Sequence, residues 1–458
     1  MFLTTCLHAD LETPVSAYLK LRGDAPCSFL LESVEGPETW ASHSIIGIGA
    51  RRVLSHDGQT LTDRGPAGVA ENHTADPLTA LRDAIATPPR EIPPDLPPFV
   101  GAAFGFLSYD AVRAFEPIGA KLSTPDVPYA YFFEPEVVAV FDNRHHTLTL
   151  YATDPAQLAD ARTRLSHPLP AHRASLPWRE PESLDDPAQF EASVRRAKEH
   201  IRAGDVIQVV LSRRFALPRT GDPFDVYRGL RTINPSPYLF YFDTPDLCLA
   251  GASPEVMIRV QDRRAVVRPI AGTRPRGRDP DEDRRLAQEL LADPKERAEH
   301  IMLVDLGRND VGRVSAPGAV EVSELMTIER YSHVMHIVSE VQGTLRPDQD
   351  AFDALRAAFP AGTLSGAPKV RAMQIIEALE SHPRGIYGGA IGYFAPNGDA
   401  DFGIAIRTLV AKPETMIVQA GAGIVADSDP QREREETEHK AQAVLRAARW
   451  ATTERAAW

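Results

Sequence analysis

Residues 390–426 read AIGYFAPNGDADFGIAIRTLVAKPETMIVQAGAGIVA, three β-prone runs broken at Asn397-Gly398 and again at Lys412-Pro413-Glu414. An Asn-Gly pair between alternating runs marks a tight hairpin turn, so the flanking runs lie antiparallel. Upstream, LCLAGA (247–252) and VMIRVQDRRAVVRPIAG (256–272) repeat the pattern. Hairpins in succession predict an α+β protein whose large antiparallel sheets pack as a sandwich with helices outside, not a βαβ series. In the middle run, DFGIAIRTLV (401–410), strand alternation puts Gly403, Ala405, Arg407 and Leu409 on one face. The small residues clear space beside Arg407, whose planar guanidinium either grips a ligand carboxylate or closes an internal salt bridge.

The rest of the chain extends this plan. SFLLESVEG (28–36), WASHSIIGIGA (40–50), RRVLSHDG (51–58), FVGAAFGFLSYD (99–110) and EVVAVFDNRHHTLTLYA (136–152) are short β-prone runs broken by Gly, Asp-Gly and Asp-Asn. FEASVRRAKEHIRAGD (190–205) has a helical pattern stopped by Gly204, and VIQVVLSRRFAL (206–217) follows as a strand. Prolines cluster at 88–98 and through 155–187. The second cluster predicts a connection over 153–187 between a sheet-rich lobe, 1–152, and a larger lobe, 188–452, the two packed intimately.

Composition narrows the function. A chain of 458 residues exceeds one ordinary hydrophobic core, and 43% hydrophobic with 25% charged residues is the balance of a soluble globular protein. Fifty Lys and Arg against 63 Asp and Glu give a net charge of −13, which disfavours nucleic acid, and no apolar stretch approaches a membrane span. Cys6, Cys27 and Cys248 are scattered, without metal or redox spacing, and the N-terminus lacks the basic start of a signal peptide. A cytoplasmic protein is expected.

Several constellations can carry chemistry. DPKERAEHIMLVDLGRND (293–310) opens a helix on Asp293 and Pro294, with Glu296 and Glu299 three apart. A second helix, from DSDPQREREETEHK (427–440), offers Glu433, Glu436 and Lys440 on one face. Such runs are either solvated helix faces or, taken together, a carboxylate pair from each of two helices converging on a hard cation such as Mg²⁺. Glycines in PIAGTRPRG (269–277), FPAGTLSGAPK (359–369) and QAGAGIVADSDP (419–430) let backbone N–H groups approach an anion, yet no Walker lysine or dinucleotide fingerprint accompanies them. Gln208 is a lone amide in an apolar strand, where burial demands a hydrogen bond. Glu255, after Ser253-Pro254 and before Val256-Met257, is placed for a raised pKa and general-acid work. His333 and His336 are each either satisfied in place or available for proton transfer.

These motifs in this order, from LLESVEG through NPSPYLFYF (234–242), GASPEVM (251–257), IERYSHVMHIVSEVQG (328–343) and RGIYGGAIGY (384–393) to the acidic C-terminal helix, resemble the chorismate-utilising enzymes, within them the branch that makes anthranilate. The resemblance covers nearly the whole chain. It implies Mg²⁺ as cofactor, with Glu299 and Glu436 as its carboxylates supported by Glu296 and Glu433. Substrate contacts are implied at Gly272, Thr273, Thr363, Tyr387, Arg407, Gly421, Ala422, Gly423 and Lys440. Glu255 would protonate the departing ring hydroxyl, and His336 matches the histidine associated with pyruvate elimination.

Two positions discriminate within the family. Gln208 stands where water-using members carry a lysine base, and an amide that cannot deprotonate water suits ammonia as nucleophile. Ala271 stands where aminodeoxychorismate synthases typically carry a lysine nucleophile, and alanine forms no adduct. The expected reaction is amination of chorismate at C2, then pyruvate loss to anthranilate, the first committed step toward tryptophan. Arrest at 2-amino-2-deoxyisochorismate, aminodeoxychorismate synthesis and an inert tryptophan-sensing subunit are the alternatives. None of the cysteines sits in a G-x-C-x-G turn, so a separate glutamine amidotransferase subunit is the implied ammonia source. Tryptophan as feedback inhibitor is implied at Ser33, Pro237, Tyr238 and Leu239, making 1–152 the regulatory lobe and 188–452 the catalytic one.

Overall fold

The computed structural model describes residues 2–33, 43–85, 96–119, 121–171, 177–219, 221–331 and 334–453. The expectation for His333 falls outside them. Two sheets of twelve strands each, antiparallel in every pairing, form the frame, and helices cover the outer faces. This is the α+β sandwich expected from the hairpins. Both sheets draw strands from both sides of the Pro-rich connection.

The prolines prove to be helix starters as much as linkers. Among the described residues seven helices open with an Asp whose carboxylate accepts backbone N–H groups of the first turn and a Pro beside it: Asp76-Pro77, Asp154-Pro155, Asp186-Pro187, Asp222-Pro223, Asp279-Pro280, Asp293-Pro294 and Asp429-Pro430. Proline has no N–H to lose there and its fixed φ suits the first helical position. Two of these pairs flank the connection, which itself contains the helix Pro155–Ser166 and the short strand Glu182–Ser183.

Four segments of chain pass directly from one sheet to the other. Strand β1 (His43–Ile48) of the first sheet turns at Gly49, whose φ of +74° a side chain would strain, into β2 (Arg52–His56) of the second. Strand β3 (Ala130–Glu134) of the second sheet returns as β4 (Val137–Asp142) of the first, with β1 paired to β4 and β2 to β3. After β5 (Gln208–Pro218) and helix α1 (Pro223–Ile233), the arrangement repeats. Strand β6 (Cys248–Ser253) of the first sheet crosses at Pro254 and Glu255 into β7 (Val256–Gln261) of the second. Beyond β8 (Ile270–Pro275), helix α2 (Pro294–Gly312), β9 (Val334–Thr344), the one-turn helix α3 (Gly362–Ser365) and helix α4 (Lys369–Leu379) come the partners of that crossing. They are β10 (Ala400–Ile404), paired with β7, and β11 (Thr408–Ala411), paired with β6. Strand β12 (Thr415–Ile424), paired with β5 and β11, and helix α5 (Pro430–Thr453) complete the chain.

The alternation read through 401–410 is therefore corrected. One continuous strand is replaced by two strands in different sheets, because Ala405 to Arg407 turn the corner. The Ala405 N–H donates to the Gly389 carbonyl, Ile406 bonds back to Ile404, and Arg407 adopts a φ of +50°. Between the sheets lies an aromatic core in which Phe29, Phe104, Phe106, Phe133, Phe240 and Phe242 are almost fully buried, Phe29 and Phe104 with ring centroids 4.2 Å apart. Aromatic rings of this size dominate core energetics by area alone, and tilted pairing adds to it. No helix among the described residues is long and apolar enough to cross a membrane.

Candidate active site

The corner formed by Glu255 and Arg407 opens into a cavity of about 570 Å³. Helices α2 and α5 supply one wall, β5 and β12 the floor, and β8, β9 and α3 the remaining sides. Gln208, Glu255, Gly272, Thr273, Glu299, His336, Thr363, Tyr387, Arg407, Gly421, Gly423, Glu433, Glu436 and Lys440 all line it. Two expected site residues do not. Ala422 alternates to the opposite face of β12 and packs its methyl into a buried cluster with Val209 and Leu211. Glu296 reaches sideways to Arg274 (3.2 Å) instead of capping its own helix, which Asp293 caps alone.

Glu255 is buried, and the Thr363 hydroxyl donates to its Oε1 at 2.7 Å. Burial pushes the carboxyl up to about 8, against the pull of that hydrogen bond. The group holds its proton at neutral pH, as a general acid must.

Arg407 makes no ion pair with any described residue, which leaves its fork open to a ligand carboxylate. Burial lowers its pKa, opposed by the nearby Tyr387 and Glu436. Beside it the floor is backbone. A Cβ on Gly421 would lie 2.6 Å from the Tyr387 hydroxyl, and one on Gly423 would collide with the Gln208 amide. Glycine at both places is what lets the chain lie open to an anion. The Gln208 carbonyl oxygen is buried without a hydrogen bond.

The acidic wall is mutually repulsive. Burial raises the Glu299 pKa first, Glu296 and Glu436 raise it further, and Lys295 and Lys440 oppose them. Glu433 is raised by burial and by Glu436, against a hydrogen bond from Ser428. Lys440 pairs with Glu436 at 2.6 Å and donates to the Gly421 carbonyl at 3.1 Å, joining α5 to the glycine floor. Among the described residues no group of three or more acidic, His or Cys side chains is placed to hold a metal ion. A carboxylate from each of two helices, Glu299 on α2 and Glu436 on α5, nonetheless offers the oxygen donors that suit Mg²⁺, which keeps waters and takes substrate oxygens as remaining ligands.

His336 places Nδ1 2.8 Å from the Gly272 carbonyl, which can only accept, so the proton sits on Nδ1 and the lone pair on Nε2. Burial lowers its pKa, keeping the ring neutral. Ser33, Pro237, Tyr238 and Leu239 line a second cavity, of about 300 Å³, between the sheets. The Ser33 hydroxyl is buried there without a hydrogen-bond partner among the described residues, and Pro237 lines both cavities.

Sequence reading missed the pair behind the floor, Glu380 and Arg384. Their i, i+4 spacing is an ordinary helix-end pattern, and only the tertiary fold buries it.

A two-sheet sandwich with a cavity at its sheet corner lined by both acidic and basic side chains defines a class, and the comparisons agree. The family model for chorismate binding enzymes matches residues 27–446, and the chain belongs to that family. It is 51% identical over 449 residues to anthranilate synthase component 1 of Thermus thermophilus, covering 96% of each chain. The Acinetobacter calcoaceticus protein of the same name is 47% identical over 96% of this chain and 93% of its own. Among solved structures, anthranilate synthase component I from Streptococcus pneumoniae superposes with a TM-score of 0.80 at 38% identity, covering 96% of this chain and 98% of that one. The menaquinone-specific isochorismate synthase of Escherichia coli shares the fold, with a TM-score of 0.74 at 18% identity over 98% of this chain and 94% of that one.

Proposed function

We propose that this chain is an anthranilate synthase component 1, a cytoplasmic lyase that converts chorismate and ammonia to anthranilate and pyruvate. The observation that carries the reading is one buried carboxyl, Glu255, sharing a cavity with a guanidinium that makes no ion pair among the described residues and with a carboxylate wall. Arg407, Tyr387, Gly272, Thr273, Lys440 and the Gly421–Gly423 backbone hold the substrate's carboxylates and enolpyruvyl group. Glu255 gives its proton to the departing ring hydroxyl as ammonia adds at C2. The free Gln208 carbonyl accepts an N–H from ammonia, and having no basic nitrogen it does not activate water. His336 offers the Nε2 lone pair for the proton lost during pyruvate elimination.

Glu299 and Glu436, supported by Glu433 and more remotely by Glu296, would hold Mg²⁺. When bound, the ion supplies Lewis-acid charge that orients and polarises the ring carboxylate. Glu299→Gln abolishes Mg²⁺-dependent turnover and lowers calorimetric Mg²⁺ affinity, while the circular dichroism spectrum stays native. Unchanged Mg²⁺ binding would remove Glu299 from the metal site.

Ammonia comes from a glutamine amidotransferase subunit, component II. The second cavity takes tryptophan as feedback inhibitor, which makes residues 1–152 a regulatory and 188–452 a catalytic lobe. The buried Ser33 hydroxyl, without a partner among the described residues, supports a polar ligand there, and Pro237 lines both cavities. Ser33→Leu fills that cavity: inhibition by tryptophan weakens at least tenfold while uninhibited kcat/KM is unchanged. Equal inhibition of variant and parent would place the inhibitor elsewhere. The reaction itself is tested by incubating the chain with chorismate, Mg²⁺ and ammonium salt, then identifying products by mass. Anthranilate with pyruvate supports the reading, and accumulated aminodeoxyisochorismate or untouched chorismate overturns it.

A further inference from the structure

We propose that Arg384 is a positioning residue for proton transfer by Glu255: locked to Glu380 beneath the cavity floor, it fixes the one-turn helix that holds Thr363 against the Glu255 carboxyl. The inference rests on Glu255 as the acid. Arg384 is 4% exposed and Glu380 8%. Their fork is bidentate, Nε to Oε2 at 3.0 Å and Nη2 to Oε1 at 2.7 Å.

The remaining donors of Arg384 go to main chain that borders the site. Nη1 donates to the Leu364 carbonyl at 2.6 Å, and Nη2 to the Val210 carbonyl at 2.8 Å. Leu364 follows Thr363 within α3, and both Leu364 and Val210 line the cavity. The guanidinium also lies 5.6 Å from the centroid of the Tyr387 ring, another lining group. From the carboxylate side, Glu380 accepts the Ser212 N–H (2.9 Å) and hydroxyl (2.8 Å), and Ser212 accepts from the lining residue Gln419 (2.8 Å). One buried ion pair thus reaches the cavity at four places.

A fully buried ion pair is a weak source of stability, because desolvation offsets most of its attraction. What it supplies here is geometry. Only a planar fork with several donors reaches two carbonyls and a carboxylate together, and lysine, a single point charge, does not. Helix α3 has a single turn and no side-chain cap, so the Leu364 carbonyl contact holds it from outside.

The Thr363 hydroxyl favours the ionised form of Glu255, so losing it moves the acid's titration upward. The charged and titratable groups lining the cavity with Glu255 are Lys295 and Glu299 on α2, Tyr331, His336 on β9, Tyr387, Arg407, Asp427 and Asp429 before α5, and Arg432, Glu433, Glu436 and Lys440 on α5. None of them contributes to its shift, whose causes are burial and Thr363 alone.

The test follows chorismate turnover against pH at fixed free-ammonia concentration. Thr363→Val moves the alkaline limb of kcat/KM upward by about half to one pH unit, the value of one hydrogen bond. Arg384→Lys is expected to move it equally, and the double variant no further. Should Arg384→Lys misfold, Glu380→Gln, which keeps an acceptor for Ser212, takes its place. A folded Arg384→Lys or Glu380→Gln protein with the limb at its parental position, beside a shifted Thr363→Val, overturns the inference. No shift in Thr363→Val overturns the reading of Glu255 on which it stands.

Discussion

Glu255→Gln lowers kcat/KM for chorismate about a thousandfold, within the usual range for loss of a general acid, and makes the protein harder to unfold at pH 7. The two effects share one cause. Burial raises the carboxyl from its ordinary 4.5 to about 8. Below pH 4.5 the group is protonated in folded and unfolded chains alike. As pH rises toward 8 the unfolded chain ionises while the folded one keeps its proton, so the parent loses stability over this window. At about 1.4 kcal/mol for each pH unit, the loss is about 3 kcal/mol by pH 7. Glutamine has the same shape, still accepts from Thr363 and does not titrate. Urea unfolding of both proteins at pH 5 and pH 8 shows the gap widening with pH. Parallel stabilities across that range would mean that Glu255 is ionised in the folded protein and is not the acid.

Arg407→Met weakens chorismate binding at least a hundredfold. Truncating one member of a buried charge pair typically costs about 2–5 kcal/mol, and here the other member arrives with the substrate. In the free protein the guanidinium is half-buried in the cavity wall with no ion-pair partner among the described residues, so its removal leaves unliganded stability unchanged or higher. Calorimetry with chorismate and a thermal melt measure the two sides of this trade. Retained affinity would make Arg407 a corner-forming residue only.

Most of this architecture was legible in the sequence. The hairpin signals gave antiparallel sheets, Asp293-Pro294 gave a helix start, and the two Glu-x-x-Glu pairs placed carboxylates on α2 and α5, which face one cavity. The corners were not legible. Strand alternation continues smoothly through Ala405, Ile406 and Arg407, and nothing in a two-residue period announces that successive strands belong to different sheets. Glu296 and Ala422 show the same limit from another side. Spacing assigns a face, whereas a neighbour such as Arg274 decides where a side chain on that face goes.

The twin corners have a mechanical consequence. At β1–β4 the turn is tied by Arg51 and Arg52 to Glu134, and at β6–β7 with β10–β11 it carries Glu255 and Arg407. Covalent chain stitches the two sheets together at both hems, so they resist sliding past each other and retain rotation about the seams as their freer motion. The second cavity opens between the same two sheets, from Leu31 and Leu239 on one to Arg259 and Tyr393 on the other. An occupant there would bear on both sheets at once, like a wedge in a book, away from the spine where acid and guanidinium sit.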